Sequence, residues 1–407
     1  MTRSTAPTNR PLEGLRIIEI SSFVASPLCG LTLCQLGADV IRIDPIGGAA
    51  DIDRWPLTAD GESIYWAGLN RGKRSLALDL RSGEGQDIVR RLVAAPAAGG
   101  GILVTNSAGR QWMNHETLSA LRPDVITLEL LGRRDGRPAV DYTVNAALGF
   151  PQVTGPVDNT GPVNHVLPAW DVAAGLHAAL AVAAAVHKRT VTGEGSRIVL
   201  PLEDVALSTA SALGYLTEVQ VNGTGRHGTG NDVYGTYGTD FLTADDERFM
   251  IVALTPRHFR DLVTVTGTEK PVAALEAALG TDFTRESDRF EHRDVLTALF
   301  ARWFRSHPAD EVGRALAASS VLHERYRTFA QVVESGSLET NPLFARLAQP
   351  RIGDHLAAAM PASFDGDHLH SGPAARMGSD GPDVLRDVLS LDDDEVAALT
   401  AAGVLAR

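Results

Sequence analysis

The chain has 407 residues, 44% of them hydrophobic and 21% charged, enough to build two or three domain-sized cores. Its formal net charge of −13 at pH 7 argues against nucleic acid and anionic membrane as general partners, so an anionic ligand must be met by a local cluster of cations. Cys29 and Cys34, five apart on one predicted helix, fit neither a C-x-x-C redox pair nor a metal spacing and point to a reduced, cytoplasmic setting.

Residues 1–10 are polar, lack the apolar run of a signal peptide, and read as a frayed tail. From Leu15 to Leu130 short β-rich runs alternate with helical ones: 15–20, a helix from about Pro27, 40–43, 75–80, a helix near 86–95, 102–105 and 125–130. This alternation predicts a mostly parallel sheet with helices on both faces. Pro27 suits the first turn of a helix, where its missing N–H costs nothing. No G-x-G-x-x-G follows the first strand, which removes the main support for a dinucleotide site. The strand opens instead onto Ser21-Ser22-Phe23-Val24-Ala25-Ser26-Pro27, either an ordinary βα loop or a helix N-terminus that accepts a ligand.

Asn70-Arg71-Gly72-Lys73-Arg74-Ser75 puts three cations in four positions ahead of a predicted strand that Arg81 closes. They read as a solvated turn, or as cations that meet nucleotide phosphates if they stand near a strand's carboxyl end. Gly132-Arg133-Arg134-Asp135-Gly136-Arg137 gathers three more arginines, as a solvated loop or as a holder of a substrate carboxylate.

One carboxylate, Asp171, stands at the mouth of an apolar segment. From Val172 to Val186 only Gly175 and His177 interrupt it, and His187-Lys188-Arg189 closes it. Such all-round hydrophobicity predicts a helix buried on every side, shorter than the ~20 residues a bilayer needs; no segment is read as spanning a membrane. Asp171 is then either the N-cap of that helix or a carboxylate kept ionised at its positive end, available as a nucleophile or base. Spacing does not choose between the two.

Beyond it come a predicted strand at 197–200, a helical region at about 203–221, and Asn222-Gly223-Thr224-Gly225-Arg226-His227-Gly228-Thr229-Gly230-Asn231, glycine-rich but without P-loop order. Runs at 238–243 and 248–253, flanking Asp245-Asp246, predict a hairpin that opens a smaller domain of helices up to about Ser320. That domain carries no metal-ligand cluster, and His258, His292 and His307 are scattered. Asp392-Asp393-Asp394 predicts an acidic helix start.

Asp171 followed by Ala174-Gly175 and then Arg189-x-x-Thr192-Gly193-x-Gly195 resembles the signature of the family III CoA-transferases. Pro11-Leu12-x-Gly14-Leu15-Arg16-Ile17-Ile18, Leu36-Gly37-Ala38-Asp39-Val40-Ile41-Arg42, Asn70-Arg71-x-Lys73-Arg74-Ser75-Leu76 and Met377-Gly378 follow in family order, so the resemblance covers nearly the whole chain. It implies an α/β fold: a Rossmann-like parallel-sheet large domain in residues 1–222, a smaller α+β domain in 223–325, and a C-terminal part, 326–407, returning to the large domain. An interlocked homodimer is implied with it. It also implies that Asp171 is the catalytic nucleophile and carries CoA as an aspartyl thioester between carboxylates. An acyl-CoA and a small carboxylic acid are then the substrates, with no tightly bound cofactor and no metal.

Carried over residue by residue, Val24 and Ala25 lie against the CoA nucleotide; Arg74 belongs to the basic turn that, on the functional rather than the solvated reading above, meets its phosphates. Leu78 and Arg81 fall beside the adenine, and Asn106 and Arg110 reach the pantetheine and phosphate portion. Asn106-Ser107-Ala108-Gly109-Arg110 departs from the family's Asn-Phe-x-Pro-Gly pattern and lacks its aromatic contact. The 223–230 loop is either a plain linker or the family's glycine loop, which closes over the intermediate. Phe23-Val24-Ala25, Arg54-Trp55-Pro56, Gly132-Arg133-Arg134-Asp135-Gly136 and Val163-Asn164-His165 resemble a branch that moves CoA between the two ends of one branched C5 dicarboxylic acid. Arg133, Arg134 or His165 would there hold the idle carboxylate. A racemase branch shares the fold and moves an α-proton with a His-Asp pair and a Glu, but here Val140 precedes Asp141 where its histidine would stand. A non-catalytic CoA-binding protein is the remaining alternative.

Overall fold

The computed structural model describes residues 10–107, 109–158 and 161–406. They form two compact units: one takes the chain up to Leu148, His165–Glu218 and Leu338 onward, the other Gly149–Asn164 and Val219–Ser337.

The first unit is built on six parallel strands: β1 (Arg16–Ile20), β2 (Asp39–Pro45), β3 (Arg74–Leu78), β4 (Ile102–Thr105), β5 (Ile126–Leu131) and β6 (Ser196–Pro201). Runs such as Ile17-Ile18 and Val40-Ile41 are buried on both faces, the pattern a covered parallel sheet requires. The strand order is β3-β2-β1-β4-β5-β6, so the sheet is wound in opposite directions from β1 and β4. A crevice therefore opens beyond the carboxyl ends of these two strands, the usual ligand position in such sheets.

On one face lies α1 (Ala25–Gln35), between β1 and β2. After α2 (Ile64–Asn70) and β3, α3 (Gly83–Ala94) covers the opposite face, followed by α4 (His115–Leu121), α5 (Asp141–Ala147) and the short α6 (Phe150–Val153) of the second unit. Ile18, Ile41 and Leu76 of the sheet pack with Ile88 and Leu92 of α3 and with Val384 and Leu385 of a C-terminal helix, Gly381–Leu389. Each such side chain contributes about 1.5–3 kcal/mol of apolar transfer free energy before the entropy of ordering is set against it. The acidic helix start is real: Asp392 caps helix Asp393–Ala401 by accepting from the Glu395 N–H.

The apolar segment is α7 (Ala169–Thr192), longer than its hydrophobic run. His187, Lys188 and Arg189 do not end it, because cations are favoured in a last turn; Gly193, at φ 75°, does. By length and composition α7 reaches what a membrane span needs. It is not buried on every side: Ala174, Gly175, Ala178, Val182 and Ala185 form a buried stripe, while Leu176, Leu180 and Val191 are exposed within this chain. The small residues let α7 close on α1. A Cβ at Gly175 would stand 2.7 Å from the Ala25 carbonyl oxygen, so the glycine four residues after Asp171 is a steric necessity. The predicted 203–221 helix breaks at Gly214 (φ 81°), leaving α8 (Leu202–Ala212) and a helix at Tyr215–Asn222.

The second unit holds the expected hairpin, Tyr237–Leu242 with Arg248–Ala253, extended by a third antiparallel strand, Leu322–Arg325. Helices at Pro256–Thr266, Arg293–Ser306 and Ala309–Ala317 accompany it, around a core of Tyr237, Phe259, Leu296, Phe300 and Phe304. The glycine-rich 223–230 loop belongs to this unit.

Candidate active site

β1 runs into Ser21-Ser22-Phe23, where Phe23 takes φ 68°, a left-handed conformation that an aromatic residue adopts only under constraint. The constraint is visible: the Phe23 N–H donates to Asp51 Oδ2 at 2.8 Å. Asp51 is buried with Arg42, whose guanidinium grips Asp44 through two nitrogens and donates to the Asn70 side-chain oxygen and the Ser21 carbonyl. Lys73 Nζ donates to Glu19, to Asn70 Oδ1 and to the Pro27 carbonyl, each at 2.9 Å. Burial pushes the Lys73 ammonium down and the Asp51 carboxyl up from their ordinary ranges. The Asn70-x-x-Lys73 stretch is thus no solvated turn. It is half of an internal polar network that fixes the turn after β1, where removing one partner would strand a buried charge.

Asn106, just past β4, locks the crevice from the other side. Its Nδ2 donates to the Ser22 carbonyl at 2.8 Å, and its Oδ1 accepts from the Ser22 N–H at 3.2 Å. The carboxyl ends of β1 and β4 are thereby tied together across the switch point.

Asp171 is the third residue of α7 and not its cap; Pro168 occupies the N-cap position. The cap is supplied by Asp141, the first residue of α5, whose Oδ2 accepts from the N–H of Trp170 at 2.7 Å and of Asp171 at 3.1 Å. The Asp171 carboxyl is consequently not spent on its own helix. Burial and then the neighbouring Asp141 charge raise its pKa to about 6, opposed by Arg54, so at neutral pH it is mostly ionised yet poorly solvated. Asp141 also has a histidine partner, His165 Nε2 at 2.7 Å, contributed by a different segment from the one where the racemase motif would place it.

Asp171 opens into a cavity of about 550 Å³, lined also by Ser22, Phe23, Arg54, Tyr65 and Asp141. A second cavity, about 490 Å³, shares Ser22 and Ser107 with the first and lies beyond Ile20, Pro45 and Leu80, where Arg81 and Arg110 line it with Trp112. One cavity thus carries the nucleophile candidate, and the adjacent one carries two arginines.

Of the residues anticipated as CoA contacts, Val24, Ala25 and Asn106 line the Asp171 cavity, and Arg81 and Arg110 line the second. Arg74 stands at the amino end of β3, paired with Asp39 at 2.5 Å and with Asp387 at 3.1 Å, because a residue ahead of a parallel strand falls at the end opposite the crevice. The Leu78 side chain is fully buried in the core. Neither lines either cavity. Arg133 and Arg134 are drawn to Glu203 and Asp204 in the first turn of α8, and Arg137 to Asp135. Arg54, Tyr65 and the capping role of Asp141 escaped the sequence. Arg54 stands in irregular chain between β2 and α2 where no periodicity places it, although it lies in one of the stretches with a family resemblance. Among the described residues no group of three or more His, Cys, Asp or Glu side chains could hold a metal ion.

The model of CoA-transferase family III matches residues 12–380. The chain is 43% identical over 399 residues to 2-methylfumaryl-CoA isomerase of Chloroflexus aurantiacus, covering 97% of this chain and 98% of that protein. It is 27% identical to succinyl-CoA–D-citramalate CoA-transferase of the same organism, with 97% and 98% covered. Among solved structures, a CaiB/BaiF family protein from Brucella suis superposes with a TM-score of 0.77 at 24% identity, over 93% of this chain and all of that one, which is a likeness of fold.

Proposed function

The chain belongs to CoA-transferase family III and is an enzyme that transfers CoA; from that premise we propose that it moves CoA intramolecularly, from C1 to C4 of 2-methylfumaryl-CoA (mesaconyl-CoA), through a thioester on Asp171. The observation that carries the reading is the state of Asp171: capped by another carboxylate, ionisable near pH 6, and facing a cavity next to one that holds two arginines.

In this reading the Asp171 carboxylate attacks the thioester carbonyl and expels CoA thiolate, leaving a mixed anhydride. The thiolate then attacks the aspartyl carbonyl, forming the aspartyl-CoA thioester and releasing the acid as its carboxylate. The acid turns in the cavity, its other carboxylate attacks the aspartyl thioester, and the returning thiolate cleaves the second anhydride to give the C4 thioester and free Asp171. Each step exchanges one activated acyl group for another, so no thioester is lost to water while the cavity stays closed. Arg81 and Arg110 take the nucleotide phosphates in the second cavity, and the paired ends of β1 and β4 at Ser22 and Asn106 carry the pantetheine between the cavities.

The same family resemblance supports an interlocked homodimer and a cytoplasmic location. Leu176, Leu180 and Val191 form one exposed apolar stripe along α7, suited to cover by a second copy. The test is turnover of the C1 thioester with excess isotopically labelled free 2-methylfumarate. Product with little label is expected, whereas full equilibration with the labelled pool, or an absolute need for added acid, would make this an intermolecular transferase.

A further inference from the structure

Arg54 is the one cation among the described residues that line the Asp171 cavity, and the mechanism above does not use it. Its guanidinium carbon lies 5.6 Å from the ring centre of Phe23 and 5.4 Å from that of Tyr65, and among the described residues it forms no ion pair with a carboxylate. Two aromatic rings beside the guanidinium hold it at the cavity wall by cation–π attraction while N–H groups remain to meet a ligand. Phe23 is held in position by its strained backbone and the Asp51 hydrogen bond, so the support is built in. Tyr65, on α2, lines the same cavity, and its buried hydroxyl lies beside the Arg54 guanidinium.

We propose that Arg54 and Tyr65 form a carboxylate clamp: they hold the end of a dicarboxylic acyl group that is not reacting, and so select dicarboxylic over monocarboxylic substrates. The inference rests on the CoA-transfer reading of Asp171 and adds to it the group that recognises the substrate. The arrangement has a chemical logic. A second carboxylate entering beside Asp171 and Asp141 would meet two negative charges, and Arg54 is the lining group that offsets them. With one cation and one nucleophile in the same cavity, the two ends of a dicarboxylate can exchange places between clamp and Asp171 without leaving. The arginines that sequence suggested for this duty, Arg133 and Arg134, already face Glu203 and Asp204.

Two measurements on wild type, Arg54→Met and Tyr65→Phe, made at about pH 8 where Asp171 is ionised whether or not Arg54 is present, decide the matter. The first is calorimetric binding of free 2-methylfumarate against its monocarboxylic analogue, 2-methylcrotonate, which requires no turnover. Arg54→Met should weaken dicarboxylate binding about 100-fold and Tyr65→Phe about 10-fold, with monocarboxylate binding within about 3-fold of wild type in both. The second is the rate at which 2-methylfumaryl-CoA and 2-methylcrotonyl-CoA form a CoA adduct on Asp171; only the first should fall in the variants. An Arg54→Met protein that binds the dicarboxylate within about 3-fold of wild type, or that loses both ligands equally, overturns the clamp. Wild type that shows the expected binding preference yet never forms an adduct would leave the clamp standing and overturn the transfer reading instead. Arg54 is exposed on irregular chain, so its variant should melt within a degree or two of wild type.

Discussion

The carboxylate of Asp141 accepts the backbone N–H of Asp171 at 3.1 Å, so one aspartate caps the helix that presents the other. The arrangement has two opposed effects. It satisfies the helix start, which would otherwise draw on the Asp171 side chain, and it sets a second negative charge that adds to burial, the larger cause, in raising the Asp171 pKa to about 6. A carboxylate with a raised pKa is more basic and more nucleophilic while ionised, and Asp171 remains mostly ionised at neutral pH.

Asp171→Asn should abolish the CoA adduct and reduce turnover by more than about 1,000-fold without unfolding the protein. The helix keeps its cap, because the cap is Asp141. Folding raises the Asp171 pKa, so its protonation stabilises the native state fully below about pH 4, and that contribution is lost as pH rises through about 6. The Asn variant, which never ionises, should therefore gain on wild type over that interval, by on the order of 2 kcal/mol given that Asp171 is partly open to the cavity. Chemical unfolding at pH values on either side of the interval reads this directly; a variant that loses stability at neutral pH would contradict the electrostatic account.

Asp141→Ala and Asp141→Asn separate the cap from the charge. The alanine variant leaves the N–H groups of Trp170 and Asp171 and the ring of His165 without their acceptor, and should cost about 2–4 kcal/mol of unfolding free energy. The asparagine variant keeps an acceptor oxygen but removes the charge, so the Asp171 pKa should fall toward the ordinary carboxylate range. In wild type the rate of adduct formation should rise with pH through about 6 and then level, since the carboxylate is the reactive form; in Asp141→Asn that limb should lie at lower pH. An acid limb that stays in place would show that burial alone sets it.

His165 beside Asp141 resembles the pairing that a proton-moving branch of this fold would need, and the two chemistries differ in what they do in heavy water. Transfer through an acyl anhydride never forms an enolate. Turnover of succinyl-CoA or another substrate with an α-hydrogen should therefore leave that hydrogen unexchanged, as read by mass spectrometry of the recovered acid. Deuterium entering at a rate comparable with turnover would favour the racemase reading.

Much of the fold can be read from the sequence because runs such as Ile17-Ile18 and Leu103-Val104 have few places to go except a doubly covered parallel sheet. Boundaries are less legible. The extent of α7 was masked by a cationic run that a helix C-terminus tolerates, while its true stop is the left-handed Gly193. The site divides in the same way. Asp171 could be singled out from its own neighbours, but its cap comes from Asp141, thirty residues earlier, and Arg54 is placed beside the rings of Phe23 and Tyr65 by contacts that no local pattern announces. The basic stretch at 71–74 shows the limit most clearly. Its three cations go three ways: Arg71 to the Ala358 carbonyl, Lys73 inward to Glu19, and Arg74 to Asp39.

That separation makes the nucleotide assignment testable by contrast among arginines. Arg81 and Arg110 line the cavity beside the one that holds Asp171, whereas Arg74 is occupied by two aspartates at the amino end of β3. If the CoA phosphates bind in the second cavity, Arg81→Ala and Arg110→Ala should each raise KM for the acyl-CoA about 10- to 100-fold, with kcat changed by less than about 3-fold, because a contact far from the reacting carbonyl contributes equally to ground and transition states. The penalty should shrink as salt is added, as expected of exposed charges. Arg74→Ala should leave KM near wild type and instead lower stability by up to about 1 kcal/mol through its partly exposed ion pairs. Steady-state kinetics with the acyl-CoA and its dephospho form would decide the matter: unchanged KM in both the Arg81 and Arg110 variants would remove the nucleotide from this cavity, and a KM effect confined to Arg74→Ala would move it to the opposite end of the sheet.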